Sequence, residues 1–512
     1  MHPDPSPDSV RLREAATDAF KQHLLPAIRH HLPDVEDLLT ATITSSVAYG
    51  AADQHSDLDV FLIFRRESDY RRYAEALGQL IESLRLDQLY GQLCDKGMRF
   101  EIESLPRSDL SRLFHHPERV ENWHQQTEWL LAWFLDSHPL HDPFGVHARL
   151  QQRAGHWPPA VLAARQDDAW TRITTWTATA RRVLAGDGPS YPGVRAAFRA
   201  ATAGLEAAYL QAGRFAPHPK WREAHAGPHL ADDPAACAML AAQSDLAHVL
   251  ASPPYRTDEI TAALDRHLAV QGPLQHEEAP LPQWQAVLAD AADTFADSSG
   301  TIRVVRQRVP GADVLRAVRE ATRAGATVYL ASETGRDQLA GERLDYDRCM
   351  RISEPLRHLY DQHRPGLLPG EAEHIRRRHW RCINFLIWRK LRVVDKAARR
   401  GRLFTCRWYQ LQVVDHLAEA RALLAGTHAP PLHRLEVDTM PYLTAELAQQ
   451  IGGPRADVCF ADVTEFLTWG WREFADLQNT LVLEGLLGRR DVADPLASQW
   501  DVQYWKYENL FS

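Results

Sequence analysis

The chain has 512 residues, a formal net charge of -9, and a composition 45% hydrophobic and 24% charged. Those proportions are those of a soluble globular protein with about two to four domains at about 100–200 residues each. The net charge argues against a protein whose whole surface binds nucleic acid, although a local basic patch stays open. Cys94, Cys237, Cys349, Cys382, Cys406 and Cys459 form no CxxC pair. That spacing fits a reducing cytoplasm, with neither a disulfide framework nor a zinc site.

Residues 1–8 are polar and Pro-rich, without the apolar core of a signal peptide. No window approaches the roughly 18–20 apolar residues that span a bilayer, and the richest patch, around Leu130–Leu135, is only core-sized. A cytoplasmic protein without a membrane partner is expected. The spacing of Val10, Leu12, Ala15, Phe20, Leu24 and Ile28 predicts a helix over 9–30. A strand is expected over Ala41–Ser46, then a turn of small residues, then a strand over Asp57–Phe64. A charged helix follows over 67–85, and Met98–Ser104 alternates apolar with charged residues as a half-buried strand does. Helices over 110–114 and 120–135 and a turn over Pro139–Gly145 close an α+β domain of residues 1–150.

Residues 151–275 read as a helical domain, with helices over Asp168–Leu184 and Gly193–Gln211. The Pro- and Glu-rich stretch Gln271–Pro282 places a linker at 276–290. A small degenerate α/β segment (291–365) and a C-terminal helical domain (366–512) complete the chain. The second half echoes the first. Ala212-Gly213-Arg214-Phe215-Ala216-Pro217 is matched by Ala425-Gly426-Thr427-His428-Ala429-Pro430, each after a Leu/Ala-rich helix. Ala180-Arg181-Arg182 is likewise answered by Ala398-Arg399-Arg400. A duplicated unit and chance likeness between Ala/Leu/Arg-rich helices both explain this. In the second half, Asp345 and Asp347 lack the small-residue turn and read as surface carboxylates.

The chemistry concentrates at Ser45-Ser46-Val47-Ala48-Tyr49-Gly50-Ala51-Ala52-Asp53-Gln54-His55-Ser56-Asp57-Leu58-Asp59. Residues two apart on a strand share a face, so Asp57 and Asp59 converge. Two carboxylates this close repel unless a cation lies between them, and a hard divalent ion suits oxygen ligands. The small turn upstream lets backbone N–H groups and a hydroxyl approach phosphates.

This stretch resembles the nucleotidyltransferase superfamily with the polymerase-beta-like catalytic fold, in particular its small-molecule and antibiotic-modifying branch. Ser46, Gly50, Ser56, Asp57 and Asp59 fall on the family pattern, whereas Ser45 stands where the family has a glycine. The resemblance covers about residues 40–145. It implies a mixed sheet, followed by helical domains that close an acceptor cleft. It also implies two Mg²⁺ ions held by Asp57, Asp59 and a third carboxylate on a neighbouring strand. Glu101 fits that position, and Glu103 shares its strand face. By the same resemblance, Ser45, Ser46, Gly50 and Ser56 belong to the phosphate-binding turn. The implied reaction moves a nucleoside monophosphate, AMP from ATP or another triphosphate, onto a hydroxyl of a small molecule.

Two further signals stand outside that turn. Pro217-His218-Pro219-Lys220-Trp221 resembles an aromatic-Pro-x-x-Lys-Trp element of bacterial relatives, which implies that Lys220 meets the nucleotide's phosphates; a surface lysine beside a core tryptophan is the plainer alternative. Arg376–Arg407 holds twelve Lys or Arg against one acid, Asp395, with Trp380 and Trp388 interleaved. Such a stretch is either an RNA-binding face or an ordinary solvated one, and it sustains the rival reading of a non-catalytic nucleotide- or RNA-binding protein. Nucleotidylylation of a protein partner or of RNA is a further alternative. The 25 histidines form no HExxH spacing, and no GxSxG or Walker sequence occurs.

Overall fold

The computed structural model describes residues 6–31, 38–50, 52–53, 58–64, 98–104, 125–187, 191–217, 219–253, 255–271, 283–297, 300–305, 311–324, 326–330, 369–424 and 462–485, with Ser56 and a few other single positions. They divide into two compact units, Met1–Leu162 with Gly213–His218, and Ala163–Ala212 with Pro219–Ala497. The architecture is α+β and mostly helical. No helix among the described residues is long and apolar enough to cross a membrane.

The first unit opens with α1 (Pro7–Asp18), a π-helical turn (Ala19–Leu24) and α2 (Leu25–His31). Ser6 caps α1 by accepting the Ser9 N–H at 3.1 Å, and Pro7 occupies the first helical position, where its missing N–H costs nothing. Pro26 has no N–H to offer the carbonyl four residues back, and the ladder widens into the π turn just before it. Leu12, Phe20, Leu24 and Ile28 are buried as their spacing predicts, while Val10 is exposed.

The sheet contains β1 (Leu38–Thr44), β2 (Leu58–Phe64), β3 (Met98–Ser104) and β4 (His138–His141), in the order β3-β2-β1-β4. β1 is antiparallel to β2 and to β4, and β2 is parallel to β3. β1 ends two residues before the predicted Ser46, because Ser45–Ala48 coils into the short helix α3. β4 replaces the turn predicted from Pro139. As an edge strand it tolerates a proline that cannot donate to a ladder. Thr40 and Thr42, fully buried, donate to the carbonyls of His141 (2.9 Å) and His138 (3.1 Å), so these polar strand residues are satisfied by the neighbouring strand. α4 (Gln125–Asp136) sets Trp133 edge-on to Phe61, ring centres 5.2 Å apart, and α5 (Val146–Ala154) follows β4. Burying a side chain such as Phe61 contributes about 1.5–3 kcal/mol. The helices predicted over 67–85 and 110–114 lie outside the described residues, apart from Leu80, Ser83 and Leu84.

The long helix α6 (Pro159–Asp187) starts at the end of the first unit and continues in the second. There it is followed by α7 (Tyr191–Gln211), α8 (Pro219–Leu230), α9 (Pro234–Ala251) and α10 (Thr257–Ala269). Within the predicted linker, residues 284–290 are helical instead, as part of α11 (Trp284–Ala291). β5 (Ala292–Asp297), β6 (Gly300–Val305), α12 (Ala312–Arg323) and β7 (Thr327–Leu330) form a second small sheet of order β5-β6-β7. Leu315, Val318 and Ala321 of α12 pack with Leu288 and Val328. The described chain ends with α13 (Pro369–Arg399), α14 (Leu403–Leu424) and α15 (Val463–Leu483).

Charges tie α6, α7 and α8 together. Glu206 receives Arg165 (3.0 Å), Arg172 (2.8 Å) and Arg222 (2.8 Å), and Asp168 also binds Arg165 (2.8 Å). Burial alone pushes the Glu206 carboxyl up. Arg172, Arg222 and Arg165, with a hydrogen bond from Arg172, outweigh that and hold it well below the usual carboxylate range.

Candidate active site

The site is built where β1 hands over to α3. Thr44, the last residue of β1, pairs with Asp59 near the start of β2, so the register brings the Ser45-Ser46 turn beside that carboxylate. Asp59 is 8% exposed, and Ser45 and Ser46 are buried. Ser45 has a φ of 59°, and among the described residues it is the sole non-glycine in the left-handed region. A Cβ there costs about 1–2 kcal/mol, which is the physical reason for a glycine at this point of the resembling family. Gly50, φ 71°, supplies the second left-handed residue without that cost.

The rest of the turn is fastened to the start of α1. The Ser6 N–H donates to the Gly50 carbonyl (2.9 Å), the Ser6 hydroxyl to the Ala52 carbonyl (2.7 Å), and the Ala52 N–H to Ser9 Oγ (2.8 Å). Ser56 Oγ accepts the Asp53 N–H and donates to the Asp53 carboxylate, both at 3.0 Å. Ser56 therefore holds the turn closed. Arg13 donates to the Val47 carbonyl at 3.4 Å. His138 of β4 lies close by, and its imidazole is held below its usual range by burial, then by Arg13 and His147, against a hydrogen bond to the Ala48 backbone. Sequence reasoning missed Arg13 and His138, since a helical arginine and an edge-strand histidine carry no local motif.

On the far side of β2, Asp59 pairs with Arg99, Phe61 with Glu101 and Ile63 with Glu103. In-register residues of a parallel pair share a face. Glu101 thus stands on the Asp59 face two positions along, and Glu103 four. The register favours Glu101 as the nearer carboxylate. Asp57 and the side chains of Glu101, Glu103 and Lys220 lie outside the described residues; Lys220 is the second residue of α8.

Among the described residues, no group of three His, Cys, Asp or Glu could hold a metal ion, and Asp59 alone of the three expected ligands has a described side chain. What is described fits a hard cation. A buried carboxylate begins the strand, and across the ladder Thr44 Oγ1 is buried without a hydrogen-bond partner. Both are oxygen donors of the kind Mg²⁺ takes.

In the basic stretch, only the side chains from Ile383 onward, apart from Phe385, are described. Along its described side chains, Lys390 and Arg407 are buried, bonded to His416 and Gln410, and Arg389, Arg392, Lys396, Arg400 and Arg402 are half-buried. Arg399 is exposed and pairs with Asp395 at 2.9 Å. Comparison of the chain with protein-family models, curated proteins and solved structures returned no match.

Proposed function

We propose that this protein is a Mg²⁺-dependent nucleotidyltransferase that moves a nucleoside monophosphate, AMP from ATP, onto a hydroxyl of a small molecule. The observation that carries the reading is the strained Ser45 turn placed by strand register beside the buried Asp59. Strain of this kind persists only where the surroundings enforce it, and it clusters at functional turns. The αββ order with an antiparallel then a parallel strand pair also supports the polymerase-beta-like fold that the motif implies.

Asp57, Asp59 and Glu101 would hold the metal, which neutralises phosphate charge and polarises the reacting oxygens when bound. The chain's own part is to position and to exclude water. The Ser45–Ala48 stretch offers backbone N–H groups and the Ser46 hydroxyl to phosphate oxygens. Ser56 and the start of α1 keep that turn in shape, and Arg13 adds positive charge beneath it.

Incubation with Mg²⁺, labelled nucleoside triphosphates and a panel of hydroxyl-bearing acceptors tests the reading. Asp59→Asn is expected to lower transfer by a factor of about 100 or more, the scale seen when one electrostatic stabiliser of a transition state is removed. Full transfer by that variant overturns the assignment.

A further inference from the structure

The helices of the second unit contain one pattern twice. α6 and α7, of 29 and 21 residues, are joined by residues 188–190; α13 and α14, of 31 and 22 residues, are joined by residues 400–402. α7 runs into Ala212-Gly213 and α14 into Ala425-Gly426. Tyr191, whose hydroxyl donates to the Asp415 carboxylate at 2.7 Å, also meets Leu411, hydroxyl and carbonyl 3.1 Å apart. Shifting each partner by the interval between Gly213 and Gly426 converts this pair into Phe404 and Phe198, whose rings stack with centres 5.2 Å apart. A contact matched by the contact of its counterparts is the signature of a two-fold axis between equal units. The sheets repeat too: β5 is antiparallel to β6 and β6 parallel to β7, as β1 is to β2 and β2 to β3.

The copies differ where α8 begins. The Arg400 and Arg402 guanidiniums lie 5.6 and 5.0 Å from the centre of the Trp221 ring. The same segment is fastened on every side. Arg222 donates to Glu206 (2.8 Å), Tyr209 donates to the Arg222 carbonyl (2.9 Å), and Glu223 accepts the Thr405 N–H (3.3 Å). Trp221 is buried. Neither partner survives in the other copy. The counterpart connector reads Asp187-Gly188-Pro189-Ser190, without a cation, and the counterparts of Lys220 and Trp221 are His433 and Arg434. The aromatic ring, its lysine neighbour and the two arginines therefore occur together once, although the scaffold occurs twice.

We propose that the chain is an internal pseudo-dimer in which the half without the acidic pair serves the half that has it. Its α13–α14 turn brings Arg400 and Arg402 to Trp221 and forms, within the second unit, an anion subsite that takes a polyphosphate. Guanidiniums held against an aromatic ring are pre-oriented forks for phosphate oxygens. The identity of the anion rests on the nucleotidyltransferase reading; the subsite itself does not.

Calorimetric titration of the full chain with tripolyphosphate, and with ATP, tests this. The double variant Arg400→Gln/Arg402→Gln is expected to bind tripolyphosphate at least about tenfold more weakly, since two charged hydrogen-bond donors are lost. Arg399→Gln, which removes one charge from the same helix end, is expected to bind as the wild type does. Arg400→Lys/Arg402→Lys keeps the charge and guards against loss of fold; it should fall between the two. Equal binding by the double Gln variant, or an equal loss in Arg399→Gln, overturns the proposal. Arginine-dependent tripolyphosphate binding without transfer to any acceptor leaves the subsite standing and removes the transferase reading.

Discussion

Replacing Ser45 separates backbone strain from side-chain chemistry. Its φ of 59° puts a Cβ where L-residues lose about 1–2 kcal/mol. Ser45→Gly recovers that cost but adds about 0.5–1 kcal/mol of unfolded-chain entropy. The difference, about 0.5–1 kcal/mol in favour of the variant, raises the melting midpoint of a unit of this size by about 1–4 °C. Ser45→Ala keeps the Cβ and loses the hydroxyl, so its midpoint stays near the wild type. Ser45→Val brings a branched Cβ into the same conformation and lowers stability by about 1–3 kcal/mol. Urea and thermal unfolding of the four proteins, followed through the first unit, give the order Gly, then Ser with Ala, then Val. A glycine variant that melts at or below the valine variant refutes the strain argument. Nucleotide transfer is the second readout: if the turn accepts phosphates, glycine leaves KM for the nucleotide unchanged or lower, and valine raises it.

Three other perturbations have signs fixed by the structure. His267 is fully buried with both ring nitrogens unpartnered, and burial lowers its pKa to about 4. Below pH 6.5 the unfolded chain takes up a proton that the folded one refuses, so stability falls by about 1.4 kcal/mol per pH unit as pH drops toward 4, about 3 kcal/mol in all. Urea titrations of wild type and His267→Leu at pH 7 and pH 4.5 check this; a difference between them that does not change with pH refutes it. Gly204→Ala gains helix propensity, yet the added Cβ would overlap Nε2 and Cε1 of His267, so a net loss of about 1–3 kcal/mol is expected in thermal unfolding. Glu206→Gln leaves Arg165, Arg172 and Arg222 facing a neutral amide, and should cost about 3–5 kcal/mol by chemical denaturation.

What the sequence revealed follows from the range of the forces involved. β3 runs from Met98 to Ser104 as its alternation predicts, since period-two patterning is written into neighbouring residues. The strand that carries Asp59 was legible because its apolar run is equally local. β4 was not: His138–His141 has no alternation of its own and becomes a strand by pairing with residues about a hundred positions earlier. Nor could the sequence show that Ser45 is left-handed, because its φ is set by the β1 end and the α1 contacts together. The burial of two residues of the basic run was hidden in the same way. Lys390 and Arg407 look solvated in a list of charges, but α14 supplies His416 and Gln410 and takes them out of water.

The repeat shows where local likeness stops being informative. The Gly213/Gly426 match coincides with two helix ends and agrees with the paired contacts of Tyr191 with Leu411 and Phe404 with Phe198. The Ala180-Arg181-Arg182 and Ala398-Arg399-Arg400 match is out of that register. α6 continues past the first triplet to Asp187, whereas α13 ends at Arg399. A slip of about five residues at about 3.6 per turn rotates a side chain about 140° around its helix. The two triplets therefore occupy different faces and different places: Arg181 pairs with Asp265 within the α10 region, while Arg400 reaches Trp221. Identical short words on helices are equivalent only when the helix ends agree, and here the ends, not the words, identify which arginines face the tryptophan.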